Sequence, residues 1–467
     1  MALSKFLESM RGEMRELVSA LKPYYKYVSV LGTDCSSSSY RVDRATSSVS
    51  DGAGFEGECG FVIKVHDGKA FGEYSTSSIA GDKKALAKKI VSEIRLDKAE
   101  GTIECPVPED PKHVESYVRE SDFDKYSDDE ILAFLTNIKD EVLKRDEKIV
   151  NAIAILRPIV INKLFVSPNR ELDQHYGWVN GIIVALYRDE NMAEGWEMAY
   201  GNQMKDIFAT MPTLVDKIVD KVRHLANATP IEPGVYDIIT DSSITGLIAH
   251  EAFGHGVEMD QFVKNRALAK EYVGKYVASP IVNMHDGAAA AFSTASYFFD
   301  DDGVEAHDTQ IIKDGILVAG ICDLTSSAQL GTAPTGNGRR ENYAHKAYTR
   351  MTNTFFEAGN DKLEDMIKSV KHGYMLFETD NGMEDPKNWQ IQCTAQYGIE
   401  IVDGKLTDNY VSPVVMSGFV PELLKSISMI SKEEFKVIGS GSCGKGYKEW
   451  VRVSDGGPCL KARCKLS

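Results

Sequence analysis

Two long strand-like runs in the first half of the chain constrain its fold more than any other feature. Residues 149–171 read "IVNAIAILRPIVINKLFVSPNRE" and residues 177–190 read "GWVNGIIVALYRDE". The longest apolar stretch within them, "GWVNGIIVALY", is too short to cross a bilayer, which requires about 20 apolar residues in a helix. These runs are therefore expected to form strands of a folded domain.

Short turn signals predict how the strands pair. "HDGK" at 66–69 and the "DG" pairs at 314–315 and 403–404 each lie between strand-like runs, which is typical of antiparallel hairpins. Helical spacing occurs at the N-terminus and in "MPTLVDKIVDKVRHLANATPIEPG", where proline opens the helix. We predict an α+β fold of two domains, 1–210 and 211–467, with mixed helices and largely antiparallel sheets.

Composition narrows the class of protein. The 467 residues are 43% hydrophobic and 26% charged, which is the balance of a globular protein. A formal net charge of −16 argues against a nucleic-acid partner, because phosphate backbones attract basic surfaces. The N-terminal segment carries charges throughout and lacks the apolar core of an export signal. We expect a cytoplasmic protein with no membrane association.

The eight cysteines are scattered and form no C-x-x-C pair. Reduced thiols packed as small apolar residues are the default in such a chain. That default applies to five of them, at positions Cys35, Cys59, Cys105, Cys322 and Cys393.

The segment 248–260, "IAHEAFGHGVEMD", resembles the zinc-peptidase pattern H-E-x-x-H with one residue too many. His250 and His255 are five positions apart, so a regular α-helix would place them about 140° apart around its axis. The two imidazoles can share a metal ion only if a π-type bulge, or termination of the helix between them, absorbs the extra residue. Gly254 and Gly256 flank His255, and glycine adopts unusual backbone conformations at low cost.

A third ligand is needed, because catalytic zinc sites usually have three protein ligands and an open position. The residues themselves leave it open between the nearby carboxylates Glu258 and Asp260 and a distant cysteine. Cys443, in the glycine-rich loop "IGSGSCGKGYKEW", is the strongest cysteine candidate. Cys459 and Cys464 are weaker alternatives.

Several segments in sequence order resemble the TldD/PmbA family of metallopeptidases: "HEAFGHGVEMD", "GTAPTGNGRRENY", "TRMTNTFFEAG" and "GSGSCGKG" followed by "SDGGP". With its intact H-E-x-x-x-H, the chain resembles the TldD-like branch of that family. The resemblance implies that Zn²⁺ is held by His250, His255 and Cys443, and that Glu251 is the catalytic glutamate. It also implies a dimer, either of identical chains or with a TldE/PmbA-like paralogue, that admits unfolded peptides.

The expected function is zinc-dependent hydrolysis of unfolded or disordered peptides, with Glu251 as the general base for water. Arg339, Tyr343 and His345 are candidate substrate-binding groups that would steady the oxyanion. The N-terminal domain is expected to support the dimer and the substrate channel. The alternatives are a non-catalytic regulatory or peptide-binding subunit, and a regulator of enzymes that act on nucleic acid, to which the acidic balance gives no support.

Overall fold

The computed structural model describes residues 3–52, 59–94, 96, 103–447 and 449–467. The first half contains helices and strands in the order α1 Lys5–Leu21, β1 Tyr27–Val42, β2 Ser47–Asp51, β3 Gly60–His66, β4 Phe71–Thr76, α2 Lys83–Glu93, β5 His113–Val118, α3 Asp128–Arg145, β6 Ile149–Val166, β7 Arg170–Arg188, β8 Met192–Gly201, α4 Met204–Thr210 and α5 Leu214–Asn227.

The strands of the second half are β9 Gly234–Thr240, β10 Met284–Asp286, β11 Thr309–Lys313, β12 Ile316–Leu317, β13 Gly338–Arg339, β14 Tyr348–Thr349, β15 Asn353–Phe356, β16 His372–Asp385, β17 Gln390–Val402, β18 Lys405–Val411, β19 Val414–Phe419, β20 Met429–Ile430, β21 Lys436–Ile438, β22 Ser442–Lys445, β23 Glu449–Arg452, β24 Ser454–Gly457 and β25 Leu460–Leu466. Its helices are α6 Ser242–Leu247, α7 Met259–Val263, α8 Leu324–Leu330, α9 Leu363–Lys368 and α10 Val420–Lys425. A π-helix, Ile248–Gly254, follows α6, and short 3₁₀ turns occupy Phe123–Lys125, Met211–Thr213, His255–Val257 and Leu268–Tyr272.

One large sheet organises the first half, with strand order β4-β3-β1-β6-β7-β5; β2 adds to β1 and β8 adds to β7. The two strand-like runs form β6 and β7, which pair with each other along nearly their whole length. All pairs in this sheet are antiparallel except β5 with β7. Helices α1 and α2 cover one part of the sheet, and α3 and α5 cover another.

The expected domain boundary at residue 210 falls inside the first hydrophobic core. Val215, Ile218 and Val222 of α5 are buried in the same cluster as residues of β7 and β8. Helix α4 and a 3₁₀ turn separate β8 from α5, and the apolar face of α5 is buried on the sheet that contains β8. The second core begins at Ile231, after the end of α5.

The second half is built on two sheets. In the first, strands β16, β9, β25, β19 and β17 form a closed ring, because β17 pairs with both β19 and β16. The second sheet has the order β12-β11-β10-β15-β24-β21. The pairs β16–β9 and β15–β24 are parallel and the other pairs of the two sheets are antiparallel. The predicted α+β fold with largely antiparallel sheets is confirmed.

The three predicted hairpin turns are confirmed as well. Residues 66–71 join β3 to β4, 313–316 join β11 to β12, and 402–405 join β17 to β18, each as an antiparallel pair. In the last two turns both central residues have positive φ, 47° and 79° at Asp314 and Gly315 and 47° and 76° at Asp403 and Gly404. This is the backbone that makes Asp-Gly a strong hairpin signal.

Buried ion pairs join the two halves. Lys64 Nζ lies 2.5 Å from Asp302 Oδ1, and Lys163 Nζ lies 2.5 Å from Asp301 Oδ1. Breaking such a pair would leave a buried charge without its partner, which is strongly unfavourable. The halves therefore pack against each other through specific contacts. Among the described helices, none is long and apolar enough to cross a bilayer.

Candidate metal centre

The two motif histidines lie on consecutive turns of a helix that changes its hydrogen bonding. Ile248–Gly254 is a π-helix, and the backbone N–H of His255 donates to the carbonyl oxygen of His250. This i→i+5 bond spans the five-residue spacing, so the extra residue of the motif is absorbed by the helix. The sequence left a π-bulge and helix termination open. The structure has the π-helix, which continues into the 3₁₀ turn His255–Val257.

The glycines flanking His255 provide space, not an unusual backbone. Gly254 has φ −61° and ψ −48°, which is ordinary right-handed helix. A Cβ atom there would lie 2.1 Å from Met351 Sδ, and one at Gly256 would lie 2.8 Å from Glu384 Oε1 and 3.0 Å from Trp389 Nε1. The unusual backbone that glycine permits is not found at Gly254, and close packing of neighbouring atoms is what excludes a side chain at both positions.

Gly254→Ala is expected to destabilise the protein by about 1–3 kcal/mol, since the new methyl group overpacks against Met351. Gly12→Ala in α1 is the matched control, because nothing lies within 4 Å of its Cβ position. Alanine there should be neutral or stabilise by about 0.5–1 kcal/mol. Urea unfolding midpoints of both variants measure the difference. Equal midpoints would contradict the prediction, because they would show that a methyl group at position 254 is accommodated without cost.

His250, His255 and Cys443 come together at the end of the π-helix. Their ligand atoms all lie within 4.8 Å of one another. The ring centroids of the two histidines are 5.1 Å apart, and Cys443 Sγ is 3.6 Å from His255 Nε2. Zinc bonds of about 2.3 Å to sulfur and about 2.0 Å to nitrogen at a tetrahedral angle would separate those two atoms by about 3.5 Å.

The electrostatics of the cluster favour a thiolate. Burial alone would raise the pKa of Cys443, but the neighbouring His255 and His250 hold that pKa well below its ordinary value. Burial opposes protonation of His250, yet Cys443 beside it raises the His250 pKa to about 9. His250 Nδ1 is buried and has no hydrogen-bond partner among the described residues. A thiolate and two imidazoles are a donor set that fits Zn²⁺.

The nearby carboxylates Glu258 and Asp260 do not join the cluster, but Glu258 orients one of its ligands. Glu258 Oε2 lies 3.1 Å from His255 Nδ1, which leaves Nε2 of that ring facing Cys443. Lys445 Nζ donates to Glu258 and to Asp260 at 2.9 and 2.8 Å. Glu258 therefore contacts the ring nitrogen of His255 that faces away from Cys443. Outer-shell partners of metal-bound histidines occupy the same position.

Glu251 faces the cluster from the cleft side. Its Oε2 is 3.9 Å from His255 Nε2, and its side chain is 17% exposed. The Cβ position of Gly382 would lie 2.6 Å from Glu251 Cγ, so the absence of a side chain at Gly382 makes room for this glutamate.

Glu384 is a second carboxylate in the same cleft that the sequence did not reveal. Its Oε2 accepts a hydrogen bond of 2.9 Å from the backbone N–H of Gly256. Burial raises the pKa of Glu384 to about 8. No sequence spacing pointed to it, because it lies about 130 positions beyond the motif and reaches the site through the fold of β16.

A large cleft of about 1530 Å³ opens in front of the cluster and is lined by both halves of the chain. The first half contributes residues 196–200 of β8 and the start of α5. The second half contributes the π-helix, residues 378–384 of β16, strand β21 and the Cys443 hairpin. An extended chain of several residues fits a cavity of this size, which exceeds the usual range for small-molecule sites of about 300–1,000 Å³.

The three predicted substrate-binding residues lie elsewhere. Arg339 is buried and donates to the carbonyl oxygen of Met351 at 2.8 Å. Tyr343 packs over Gly60 of the first half. His345 lies near Glu341 and Glu449, at 3.7 and 3.6 Å. None of the three is among the described residues that line the cleft, so their placement gives no support to a substrate role.

The alternative cysteine ligands lie outside the cluster. Cys459 and Cys464 are buried, and burial raises their pKa values to about 12 and about 11. In the part of the chain that the structure describes, the one group of three metal-ligating side chains is His250, His255 and Cys443.

Comparison with known proteins relates the second half of the chain to a family of metallopeptidases. Residues 233–462 match the family model described as the PmbA/TldA metallopeptidase C-terminal domain. The metalloprotease TldD homolog of Haemophilus influenzae is 33% identical over 235 residues, which are 50% of this chain and 48% of that protein. The zinc metalloprotease TldD homolog of Saccharolobus solfataricus is 31% identical over 268 residues, 57% of this chain and 58% of that protein.

The chain spans about half the length of these curated relatives. Among solved structures, TldE from Thermococcus kodakarensis superposes with a TM-score of 0.76, covering 97% of this chain and 100% of that one at 17% identity. At that identity the likeness concerns the fold alone. It extends through the first half, which the family model does not reach.

Proposed function

Since the chain belongs to the TldD/PmbA family, identified by its C-terminal half, we propose that it is a zinc-dependent peptidase of the TldD-like branch that hydrolyses unfolded peptides. The observation that carries the proposal is the convergence of His250, His255 and Cys443 beside Glu251, at the wall of a cleft large enough for an extended chain. A structural zinc site has no need of a general base, so Glu251 argues against a purely structural metal.

The proposed chemistry assigns each residue a task. His250, His255 and Cys443 would hold a Zn²⁺, and the chemistry that the metal would supply is that of a Lewis acid toward a peptide carbonyl and toward water. Glu251 accepts the proton of the attacking water on a carboxylate oxygen and passes it to the leaving amine. Glu258 holds the His255 ring with Nε2 toward the cluster.

Substrate binding is proposed to rely on main-chain contacts. Two strands at sheet edges line the cleft: β21, the last strand of its sheet, and β8, which adds to β7 only. An extended peptide can pair with such an edge through its backbone, which gives affinity with little dependence on side chains. This mode suits disordered peptides of varied sequence.

The proposal is tested by metal analysis together with a peptide-cleavage assay, with and without a chelator. Bound zinc and cleavage that the chelator abolishes and zinc restores are expected. The assay is repeated with any co-purifying paralogue, because a homodimer or a heterodimer with a TldE-like chain is proposed as the working assembly. Bound zinc without cleavage in either form would favour the alternative, a non-catalytic peptide-binding subunit. The cytoplasmic location stays a prediction.

Gly382→Ala is expected to lower kcat by about 10- to 100-fold while zinc content stays unchanged. The new methyl group would lie 2.6 Å from Glu251 Cγ and would displace the proposed base, and a shift of about 1 Å can cost about 10²-fold in rate. Gly418→Ala, in β19, is the control, because nothing lies within 4 Å of its Cβ position. Equal kcat in the two variants would contradict the placement of Glu251.

A further inference from the structure

Cys443 lies on a short hairpin that belongs to neither large sheet of the second half. Strand β22 pairs with β23 as a separate two-stranded sheet, in which Cys443 is opposite Val451. The hairpin is 188 positions from His255. In the described part of the chain no ladder of main-chain hydrogen bonds ties this sheet to its neighbours. The base of the hairpin is anchored in the second sheet, because β23 continues into β24 through Val453, whose N–H donates to the carbonyl oxygen of Gly441 at 3.2 Å. Side-chain contacts hold the part of the hairpin that carries the thiol.

Arg350 makes the first of these contacts. Its side chain is completely buried, and its two terminal nitrogens donate to the carbonyl oxygens of Cys443 at 2.6 Å and Glu449 at 3.2 Å. One planar guanidinium thus bonds to both strands of the hairpin. The backbone of Arg350 is itself held, because its N–H donates to the carbonyl oxygen of Asn337 at 2.9 Å and its own carbonyl accepts from the Asn337 side chain at 3.0 Å.

Lys445 makes the second contact, from the hairpin to the histidine segment. Its Nζ donates to Glu258, to Asp260 and to the carbonyl oxygen of Thr349, all between 2.8 and 2.9 Å. Glu258 is the carboxylate that orients His255. The lysine therefore connects the strand that carries the thiol to the group that sets the ring of the second histidine.

We propose that Arg350 and Lys445 form a clamp that positions the Cys443 thiol against the two histidines, with Arg350 as the principal positioning residue. The inference rests on the proposed function, in which these three side chains bind zinc. Burying a cation is costly and adds little stability by itself, so its presence is better explained by the orientation that it imposes. The planar fork of arginine suits two carbonyl oxygens on adjacent strands, a geometry that lysine cannot reproduce.

The test measures metal binding in full-length variants. Arg350→Met should weaken Zn²⁺ affinity by about 10- to 100-fold, the cost of losing an outer-shell partner. It should also reduce the near-ultraviolet absorption band that a thiolate gives when bonded to Co²⁺. Arg350→Lys should restore affinity only in part, because it recovers one of the two carbonyl bonds. Arg340→Met is the matched control, a buried arginine that bonds to Glu73 and to the His345 carbonyl.

The control should lose stability yet keep the wild-type Co²⁺ spectrum and Zn²⁺ affinity. An Arg350→Met variant with wild-type affinity and an unchanged thiolate band would overturn the clamp and leave the proposed peptidase intact. Wild-type protein that binds Co²⁺ without a thiolate band would overturn the ligand set, and the clamp with it. If Arg350→Met does not fold, Lys445→Gln provides the same readouts. Wild-type Zn²⁺ affinity and thiolate band in that variant would also overturn the proposal.

Discussion

Replacing Glu251 with glutamine is expected to lower kcat by about 10²- to 10⁴-fold while zinc remains bound. That range is the usual contribution of a general base, and glutamine has the same shape without the capacity to accept a proton from water. The geometry explains why zinc should stay, because Glu251 is outside the three-residue cluster and 3.9 Å from the nearest histidine nitrogen. Steady-state kinetics on an unfolded peptide and zinc content by elemental analysis give the two readouts.

Asp380→Asn is the control for this variant. Asp380 is an exposed carboxylate that lines the same cleft, so its loss changes the charge of the cleft equally and should leave kcat near the wild-type value. Retained cleavage in Glu251→Gln would remove Glu251 from the mechanism. Loss of zinc in that variant would instead make it a ligand or a structural support.

Cys443→Ser is expected to weaken zinc binding by more than the 10- to 100-fold that loss of an outer-shell partner costs. Serine keeps the size of the side chain, but its hydroxyl is not ionised near neutral pH. The pKa of the Cys443 thiol, by contrast, is held well below its ordinary value by the two histidines, although burial opposes this. Competition with a coloured chelator measures the affinity, and the loss of cleavage should follow the loss of metal.

Cys459→Ser is the appropriate comparison, because Cys459 is a buried thiol that lines the same cleft outside the cluster. It should retain the metal and the activity. Zinc lost from Cys459→Ser but kept by Cys443→Ser would exchange the roles of the two cysteines and would contradict the proposed ligand set.

Local signals in the sequence predicted the strands and turns well. The Asp-Gly pairs at 314–315 and 403–404 need positive φ at both central residues, so the hairpins follow from the chemistry of those two residues. The packing of α5 was less accessible from the sequence. Whether α5 belongs with the first or the second core depends on which sheet its apolar face reaches, and that is a property of tertiary packing.

The candidate site was predictable where residues are close in sequence. The five-residue spacing of His250 and His255 required an altered helix, and the structure has one. Cys443 could be named only through its glycine-rich loop and the family resemblance, since 188 positions separate it from His255. The sequence did not reveal which of these side chains are buried. Arg339 lies inside the protein, away from the cleft. Burial also raises the pKa of Glu384, a residue that no motif singled out.

The π-helix also bears on how such a protein can change over evolutionary time. Deleting one residue between the histidines would create the familiar four-residue interval, and an α-helix in place of the π-helix would leave the downstream chain in nearly the same position, because the π-helix already absorbs that residue. Glu258 would then still face His255, and Lys445 would still reach Glu258 and Asp260. A single insertion into a four-residue interval thus suffices to produce the longer interval, and the contacts around it stay the same.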